Sequence, residues 1–284
     1  MSGERRLTVL GALDAATATL ARAGIDAPRR EATRLLADLL GWTPAEVTLG
    51  RETVIEPDRR RWIDRAVARR AQGEPLSYVT GLAGFRRLLL RSDRRALIPR
   101  PETEGLIDHA LALCPTGVAV DVGTGTGCLA LSLADEGRYR RVVAIDRSAA
   151  ALELAAQNRR ATGLAVDLVR GDLSAAVGTA AADLIVSNPP YLSESEYLAL
   201  DTAVRDYEPR AALASGADGL DATTRLLADA RRVLRPAGVA ILEIAEMRAA
   251  ESLTAAREAG WANATVADDL FGRPRYLIAK GEGR

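Results

Sequence analysis

The sequence predicts an α/β fold in which a small all-helical domain precedes a doubly wound, mostly parallel sheet. In the first 72 residues, apolar side chains recur at helical spacing. After Pro101, short apolar segments alternate with helical segments, as in sheets that helices cover on both faces. A length of 284 residues, with 48% hydrophobic and 27% charged residues, suits one full α/β domain and a small accessory domain.

The predicted helical domain spans residues 1–73. Its apolar positions lie three and four residues apart in two segments, at Leu10, Leu13, Ala16 and Leu20 and at Ala32, Leu35, Leu36 and Leu39. Thr43, Pro44 and Glu46 supply an N-cap, a proline at the first helical position and a capping-box carboxylate, so a short third helix begins there. Residues 56–71 form an Arg-rich fourth helix, which either docks an acidic partner surface or is a solvated face.

The remainder of the chain divides at Pro101. Residues 74–100 are predicted to be a connecting β-hairpin, in which LLLRSDRRALIP forms two extended segments that reverse around Ser92 and Asp93. Residues 101–284 form the α/β domain, with strands in GVAVDVG, RVVAID, DLVRGD, DLIVSNPPY, GVAILEI and RYLIAK. The last pair, ATVADD and RYLIAK, leaves too little chain for a helical crossover, so we expect an antiparallel hairpin at that edge.

Charge and cysteine content restrict the classes of function. Lys plus Arg and Asp plus Glu both total 38, so no net charge attracts a phosphate backbone, and direct nucleic-acid binding is not expected. Two cysteines cannot form a disulfide framework, Asp14 interrupts any signal-peptide apolar stretch, and no run of about 18 apolar residues exists. We therefore expect a cytoplasmic protein without a membrane span. The single histidine, His109, makes a histidine-based metal site improbable, and we predict no metal.

A glycine-rich loop follows the first predicted strand of the α/β domain. It consists of Gly123, Thr124, Gly125, Thr126 and Gly127. Glycines let the backbone turn tightly and approach a ligand at the carboxyl end of a strand, although such a loop can also be a plain connection. The third glycine comes one residue earlier than in the dinucleotide fingerprint, which favours a cofactor without pyrophosphate.

Two acidic residues follow the next strands at the same sheet edge. Asp146 ends the second strand, where a carboxylate accepts hydrogen bonds from ribose hydroxyls or, alternatively, favours a helix N-terminus. Asp172 could accept from an adenine amino group while Leu173 packs on the ring, but a plain turn explains these two residues almost as well.

The candidate catalytic motif is Asn188-Pro189-Pro190-Tyr191, directly after the apolar strand DLIVS. Two prolines fix two φ angles and leave rigid carbonyl acceptors beside the Asn188 side chain. An amide nitrogen is a weak nucleophile, because its lone pair is delocalised. The Asn188 side-chain oxygen and the Pro189 carbonyl could accept the two hydrogens of a planar NH₂ group and align it with a sulfonium methyl, while Tyr191 stacks on the group. A proline-rich strand exit without chemistry is the alternative.

The chain resembles class I methyltransferases that act on planar nitrogen groups. It has their features in the same order, namely the glycine loop, the acidic strand end and Asn-Pro-Pro-Tyr. Three further segments, EPLSYVTG, LIPRPETE and EPR followed by ADGL, are similar to the HemK family of peptide chain release factor N5-glutamine methyltransferases. The resemblance spans essentially the whole chain. It implies a Rossmann-like, mostly parallel seven-stranded sheet with an antiparallel edge hairpin, and S-adenosylmethionine as cofactor with S-adenosylhomocysteine as product.

The resemblance also implies roles for particular residues. Methylation would fall on the glutamine of the Gly-Gly-Gln motif in class 1 release factors, recognised in part by the helical domain. Catalysis would involve Asn188, Pro189 and Tyr191, and substrate binding would add Pro190. Cofactor contacts would fall on Gly123, Thr124, Gly125, Thr126, Gly127, Asp146, Asp172, Leu173 and Asn188. Three positions depart from the family pattern. Leu173 stands where an aromatic residue is common, and Arg86 and Ala245 stand where the family often has glycine.

Two other functions use the same chemistry. One is glutamine methylation of a ribosomal protein. The segment Pro99-Arg100-Pro101-Glu102 argues against this function, because the related ribosomal enzymes tend to have a different sequence there. The other is N6-adenine methylation of nucleic acid, which would flip a base into the pocket but normally brings a basic stripe or a target-recognition domain. The segment from Arg100 to Glu104 contacts cofactor or substrate, or is simply a good helix start; the sequence leaves both open.

Overall fold

The computed structural model describes residues 7–282, so the outermost residues of the predicted domains 1–73 and 101–284 lie outside the described residues. The described chain divides into two compact units. The first runs to Leu82 and includes Thr202–Tyr207, and the second comprises Ala83–Asp201 and the residues from Glu208 onward. The helical unit thus ends at Leu82 rather than at Gly73, because one more short helix follows that glycine.

The alternation of strands and helices after Pro101 follows the predicted order, whereas the short helices Leu76–Thr80, Glu194–Leu198 and Thr202–Arg205 were not predicted. The α-helices described are α1 (Val9–Arg22), α2 (Pro28–Leu40), α3 (Pro44–Leu49), α4 (Pro57–Ala71), α5 (Leu76–Thr80), α6 (Gly105–Leu113), α7 (Cys128–Glu136), α8 (Ala149–Thr162), α9 (Glu194–Leu198), α10 (Thr202–Arg205), α11 (Asp221–Val233) and α12 (Ala249–Glu258). The strands described are β1 (Leu82–Phe85), β2 (Leu88–Arg91), β3 (Thr116–Val122), β4 (Arg138–Asp146), β5 (Asp167–Arg170), β6 (Ala182–Ser187), β7 (Leu234–Glu243), β8 (Asn263–Asp268) and β9 (Pro274–Lys280). Short 3₁₀ helices span Pro101–Glu104, Arg210–Ala212 and Glu246–Arg248.

The helical unit has its own apolar core, which α1, α2 and α4 build by packing against one another. The predicted capping box at Thr43 is present, since its side chain accepts from the Glu46 backbone and Glu46 accepts in return. Several arginines of α4 form ion pairs within this unit, as Arg69 does with Glu74 and Arg70 with Glu31. These charges therefore have a structural role besides any role in docking a partner.

The connecting hairpin is shorter than predicted and turns elsewhere. Strands β1 and β2 reverse at Arg86, whereas Ser92 and Asp93 lie in a turn beyond the hairpin. The prediction of residues 74–100 as one hairpin around Ser92 and Asp93 was therefore wrong. Arg86 has a φ of 51°, a left-handed conformation that glycine adopts more readily, so no typical turn residue marks this position. Its guanidinium binds Glu136 and Asp108, which holds the turn despite this unfavourable backbone.

The second unit contains a seven-stranded sheet with the order β5-β4-β3-β6-β7-β9-β8. Strands β3 to β7 pair in parallel, while β9 is antiparallel to both β7 and β8, as the short connection between the last two strands predicts. One apolar core lies against each face of this sheet, one with α6 and α7 and the other with α11 and α12. The strand order reverses between β3 and β6, and ligands bind at such switch points, beyond the carboxyl ends of the strands.

Candidate active site

A cavity of about 220 Å³ opens at this switch point, within the second unit. The loops after β3, β4, β5 and β6 form much of its wall, together with residues 95–100 and with Pro209, Ala211 and Ala212. Most of the predicted site residues line it, namely Gly123, Thr124, Gly125, Thr126, Asp146, Asp172, Leu173, Asn188 and Pro190. The other three, Gly127, Pro189 and Tyr191, are described but do not contribute to its wall.

The glycine loop joins β3 to α7 through backbone geometry that suits glycine. Gly123 has a φ of 74°, and a Cβ added there would meet no atom within 4 Å, so the backbone itself faces open space at the cavity wall. Gly127 has a φ of 86°, and an added Cβ would come within 3.3 Å of Leu131 in α7. The first glycine thus leaves room for a ligand, and the last lets the helix start close to the loop.

Asp121, two residues before Gly123, anchors this loop, although no role was predicted for it. It is fully buried, and one oxygen accepts hydrogen bonds from the Thr124 hydroxyl at 2.6 Å and from the Ala130 backbone at 3.1 Å. The other oxygen has no hydrogen-bond partner among residues 7–282. Burial raises the pKa of this carboxyl to about 7, and the nearby Asp146 charge adds to the shift.

Asp146 connects two walls of the cavity. Its carboxylate accepts from the Gly125 backbone at 3.0 Å and from the Ser148 backbone at 2.9 Å, at the start of α8. Asp146 therefore contacts a helix N-terminus, which was one of its two predicted roles. Since Asp146 also lines the cavity, the other role, binding of ribose hydroxyls, stays a prediction.

Asp172 and Leu173 form the far wall, after β5. Asp172 pairs with Arg225 at 2.5 Å, but both side chains are more than half exposed, so this pair stabilises the fold little. Leu173 packs against the core on the α11 side of the sheet with a φ of 48°. The adenine contacts of these two residues stay a prediction.

The Asn188–Tyr191 loop is held by a buried chain of hydrogen bonds. The Asn188 amide nitrogen donates to the Thr103 hydroxyl at 3.0 Å, and this hydroxyl donates to Glu243 at 2.6 Å. The Tyr191 hydroxyl donates to the other Glu243 oxygen at 3.3 Å. Glu243 is 1% exposed, and burial raises its pKa, opposed by these hydroxyls and by Arg275. Burial also raises the pKa of Tyr191, so its hydroxyl keeps its proton.

The segment before α6 is a helical turn that also lines the cavity, and its contact with cofactor or substrate stays a prediction. Pro101–Glu104 is indeed a helical turn, and Arg100 and Thr103 also line the cavity. Glu208, which is 4% exposed, accepts from the Ile98 backbone at 3.1 Å and from the Arg100 guanidinium, so it fixes this wall. Ala245 has a φ of −67°, and its departure from glycine causes no strain.

Other features of the described residues contribute no second site. His109 packs against Tyr276 with ring centroids 5.0 Å apart, and burial lowers its pKa, as for a structural histidine. Among residues 7–282, no group of His, Cys, Asp and Glu could hold a metal ion. No helix in that range is long and apolar enough to cross a membrane.

The strand order, the glycine loop and the cavity at the switch point define a class I methyltransferase. A solved structure, a methyltransferase from Pyrococcus furiosus, is 20% identical with a TM-score of 0.50, covers 68% of this chain and 89% of that chain, and supports the fold alone. Residues 11–81 match the PrmC N-terminal domain, and residues 103–205 match the methyltransferase small domain.

Curated relatives identify the family. The release factor glutamine methyltransferase of Nitratidesulfovibrio vulgaris is 39% identical over 280 residues, which cover 96% of this chain and 95% of the relative. The enzyme of the same name from Cereibacter sphaeroides is 43% identical over 273 residues, covering 95% and 97%. This chain belongs to the release factor glutamine methyltransferase family, and its cofactor is S-adenosylmethionine.

Proposed function

We propose that this protein transfers a methyl group from S-adenosylmethionine to the side-chain amide N5 of the glutamine in the Gly-Gly-Gln motif of class 1 peptide chain release factors. The observation that carries this proposal is the orientation of Asn188. Its amide nitrogen is engaged by Thr103, which leaves its side-chain oxygen as the acceptor beside the cavity. The names of the curated relatives support the same substrate and do not favour a ribosomal protein or an adenine base.

The cavity fits the cofactor. Gly123 opens the wall where a side chain would fill it, and Asp146 presents a carboxylate between the loops after β3 and β4. Gly123 to Thr126, Asp146, Asp172 and Leu173 would hold S-adenosylmethionine, with Asn188 at its methyl end, and Gly127 would shape the loop without lining the cavity. When bound, the cofactor supplies an electrophilic methyl group on a positively charged sulfur.

The residues of the chain then act on the incoming glutamine. The Asn188 side-chain oxygen and the Pro189 carbonyl accept the two amide hydrogens, which holds the nitrogen in place and stabilises positive charge on it. Pro190 keeps the loop rigid, and Tyr191, whose hydroxyl is held by Glu243, contributes to the site for the planar amide. No strong base is required, because a methylated amide nitrogen loses its proton readily.

Mass spectrometry of the release-factor loop peptide tests this proposal directly. After incubation with S-adenosylmethionine, the glutamine peptide should gain one methyl group. The gain should disappear with Asn188→Ala and with a Gln→Ala substitution in the factor, and Asn263→Ala on the exposed β8 strand should leave it intact. An unmodified peptide with the wild-type enzyme would refute the proposal, and labelling of nucleic acid instead would favour the adenine alternative.

The partner and the compartment follow from this function. We propose that the helical unit takes part in recognising the release factor and that the protein acts in the cytoplasm, where translation takes place. No direct contact with nucleic acid is needed for this reaction. The balanced charge of the chain, with 38 basic and 38 acidic residues, agrees with a protein substrate.

A further inference from the structure

We propose that Thr103 and Glu243 are positioning residues that fix the direction of the Asn188 amide and so present its oxygen, not its nitrogen, to the methyl acceptor. The inference rests on the proposed function, because it concerns how Asn188 meets the substrate amide. The observation is the buried chain from Glu243 through the Thr103 hydroxyl to the Asn188 amide nitrogen.

Three separate parts of the second unit meet in this chain. Glu243 ends β7, Thr103 lies in the 3₁₀ turn before α6, and Asn188 follows β6. Thr103 is 2% exposed and Glu243 is 1% exposed, so water does not compete for the hydrogen bond between them. The Thr103–Glu243 distance of 2.6 Å is that of a short hydroxyl–carboxylate hydrogen bond.

The number of hydrogens fixes the direction of the chain. A threonine hydroxyl has a single hydrogen, and in this structure the Thr103 hydroxyl gives it to a Glu243 oxygen. Only lone pairs of the hydroxyl then face Asn188, so the NH₂ end of the amide must point to Thr103. The reverse orientation would place the Asn188 oxygen against an oxygen with no hydrogen to offer, and the side-chain nitrogen would meet the substrate NH₂.

Glu243 also holds the far end of the same loop. Its second oxygen accepts from the Tyr191 hydroxyl, so one carboxylate fixes both Asn188 and Tyr191, the two ends of the Asn-Pro-Pro-Tyr motif. Arg275 and Glu102 are the other charged groups that act on it, with opposite effects on its pKa. The Arg275 charge lowers the pKa of Glu243 and so opposes the effect of burial, and in the structure both Glu243 oxygens accept hydrogen bonds.

The test compares Thr103→Val, Thr103→Ser and Glu243→Gln by single-turnover methylation of a release factor and by calorimetric binding of S-adenosylmethionine. Valine keeps the shape of threonine without the hydroxyl, and serine keeps the hydroxyl. We expect Thr103→Val to lower the methyl-transfer rate by about 10- to 100-fold with little change in cofactor affinity, and Thr103→Ser to stay within about threefold of wild type. Glutamine at position 243 can donate to Thr103 and reverse the chain, so Glu243→Gln should also lower the rate.

A matched control removes a different buried hydroxyl. Ser252 in α12 is 1% exposed, and its hydroxyl has no hydrogen-bond partner among residues 7–282, so Ser252→Ala should methylate at the wild-type rate. Circular dichroism checks whether Thr103→Val folds. If it does not, the methyl-transfer rates of Thr103→Ala and Thr103→Ser are compared instead, because these two variants also differ in the hydroxyl.

The results separate the two proposals. Failure of the wild-type enzyme to methylate the factor would refute the function itself. Normal wild-type methylation with an unchanged rate in Thr103→Val or in Glu243→Gln would overturn only the positioning role. Equal losses in Thr103→Val and Thr103→Ser would also overturn it, because the hydroxyl would then not be the cause.

Discussion

The two walls of the active site are built in different ways. On the cofactor side, the glycine loop is fixed by contacts that are short in sequence, such as Asp121 to Thr124, three residues apart, and Gly125 to Asp146, 21 residues apart. On the acceptor side, Asn188 is fixed by Thr103 at a separation of 85 residues, and Thr103 by Glu243 at 140. Contacts within the glycine loop and with the next strand therefore shape the cofactor wall, whereas side chains from distant elements shape the acceptor wall.

This difference indicates what substitutions on each wall should change. Backbone groups bind a ligand whatever side chains surround them, so the glycine wall should control cofactor affinity and the stability of the loop. In the proposed mechanism the acceptor wall presents one oriented side chain to the reacting nitrogen, so it should control the rate of methyl transfer. Measurements of rate and affinity on matched variants can separate the two roles.

The largest expected effect is on the acceptor wall. Asn188→Ala removes the oxygen that we propose orients the substrate amide. We expect the methyl-transfer rate to fall by about 100- to 1,000-fold, the range found when one stabilising polar group is removed from an active site. The affinity for S-adenosylmethionine should fall far less, as measured by calorimetry. An affinity loss equal to the rate loss would mean that Asn188 binds the cofactor rather than the reacting amide.

The next effect concerns the pH dependence of stability through Asp121. Its pKa is raised to about 7 in the folded protein from 3.8, so the protein folds most favourably with this group protonated. The stability that it contributes is therefore present at low pH and is lost as pH rises from about 4 to about 7. Asp121→Asn keeps an oxygen for Thr124 and Ala130 and carries no charge, so it should gain stability relative to wild type across that window, by at most roughly 4 kcal/mol.

Urea unfolding at a series of pH values measures this gain. The difference between the two proteins should grow from about pH 4, where the unfolded carboxyl ionises, and level off above about pH 7. A constant difference, or one that shrinks with rising pH, would contradict the raised pKa of Asp121.

On the cofactor wall, Gly123→Ala and Gly163→Ala form a matched pair. Both glycines have a φ above 70°, and an added Cβ would meet no atom within 4 Å at either, so both variants suffer the same backbone strain of about 1 kcal/mol. Gly163 ends α8 away from the cavity, whereas Gly123 lines it. Both variants should lose similar stability, but only Gly123→Ala should bind S-adenosylmethionine more weakly, by about tenfold. Equal affinities would show that the ligand does not approach Gly123.

The cofactor wall could be predicted from the sequence because its signals are local. The glycines, the strand before them and Asp146 lie close together in the chain, and each predicts its own conformation. The edge hairpin and the capping box at Thr43 were likewise predictable from short spacings, and the structure confirms them.

The acceptor wall could be predicted only in part. Asn-Pro-Pro-Tyr is a local motif, but neither Thr103 nor Glu243 belongs to a pattern that predicts contact with it. Only the topology brings the end of β7 and the turn before α6 to Asn188. The turn at Arg86 was missed for a related reason, since its left-handed backbone depends on ion pairs with Glu136 and Asp108, far along the chain.

The smallest expected effect tests whether the far end of the cofactor wall depends on side-chain charge. Arg225 pairs with Asp172, but both are more than half exposed, so Arg225→Ala should change the free energy of unfolding by less than about 1 kcal/mol. Removal of the arginine frees the Asp172 carboxylate to accept a hydrogen bond, so cofactor affinity should stay the same or rise slightly. A clear loss of affinity would instead place the Arg225 guanidinium itself in contact with the cofactor, and this wall would then use charge as well as backbone shape.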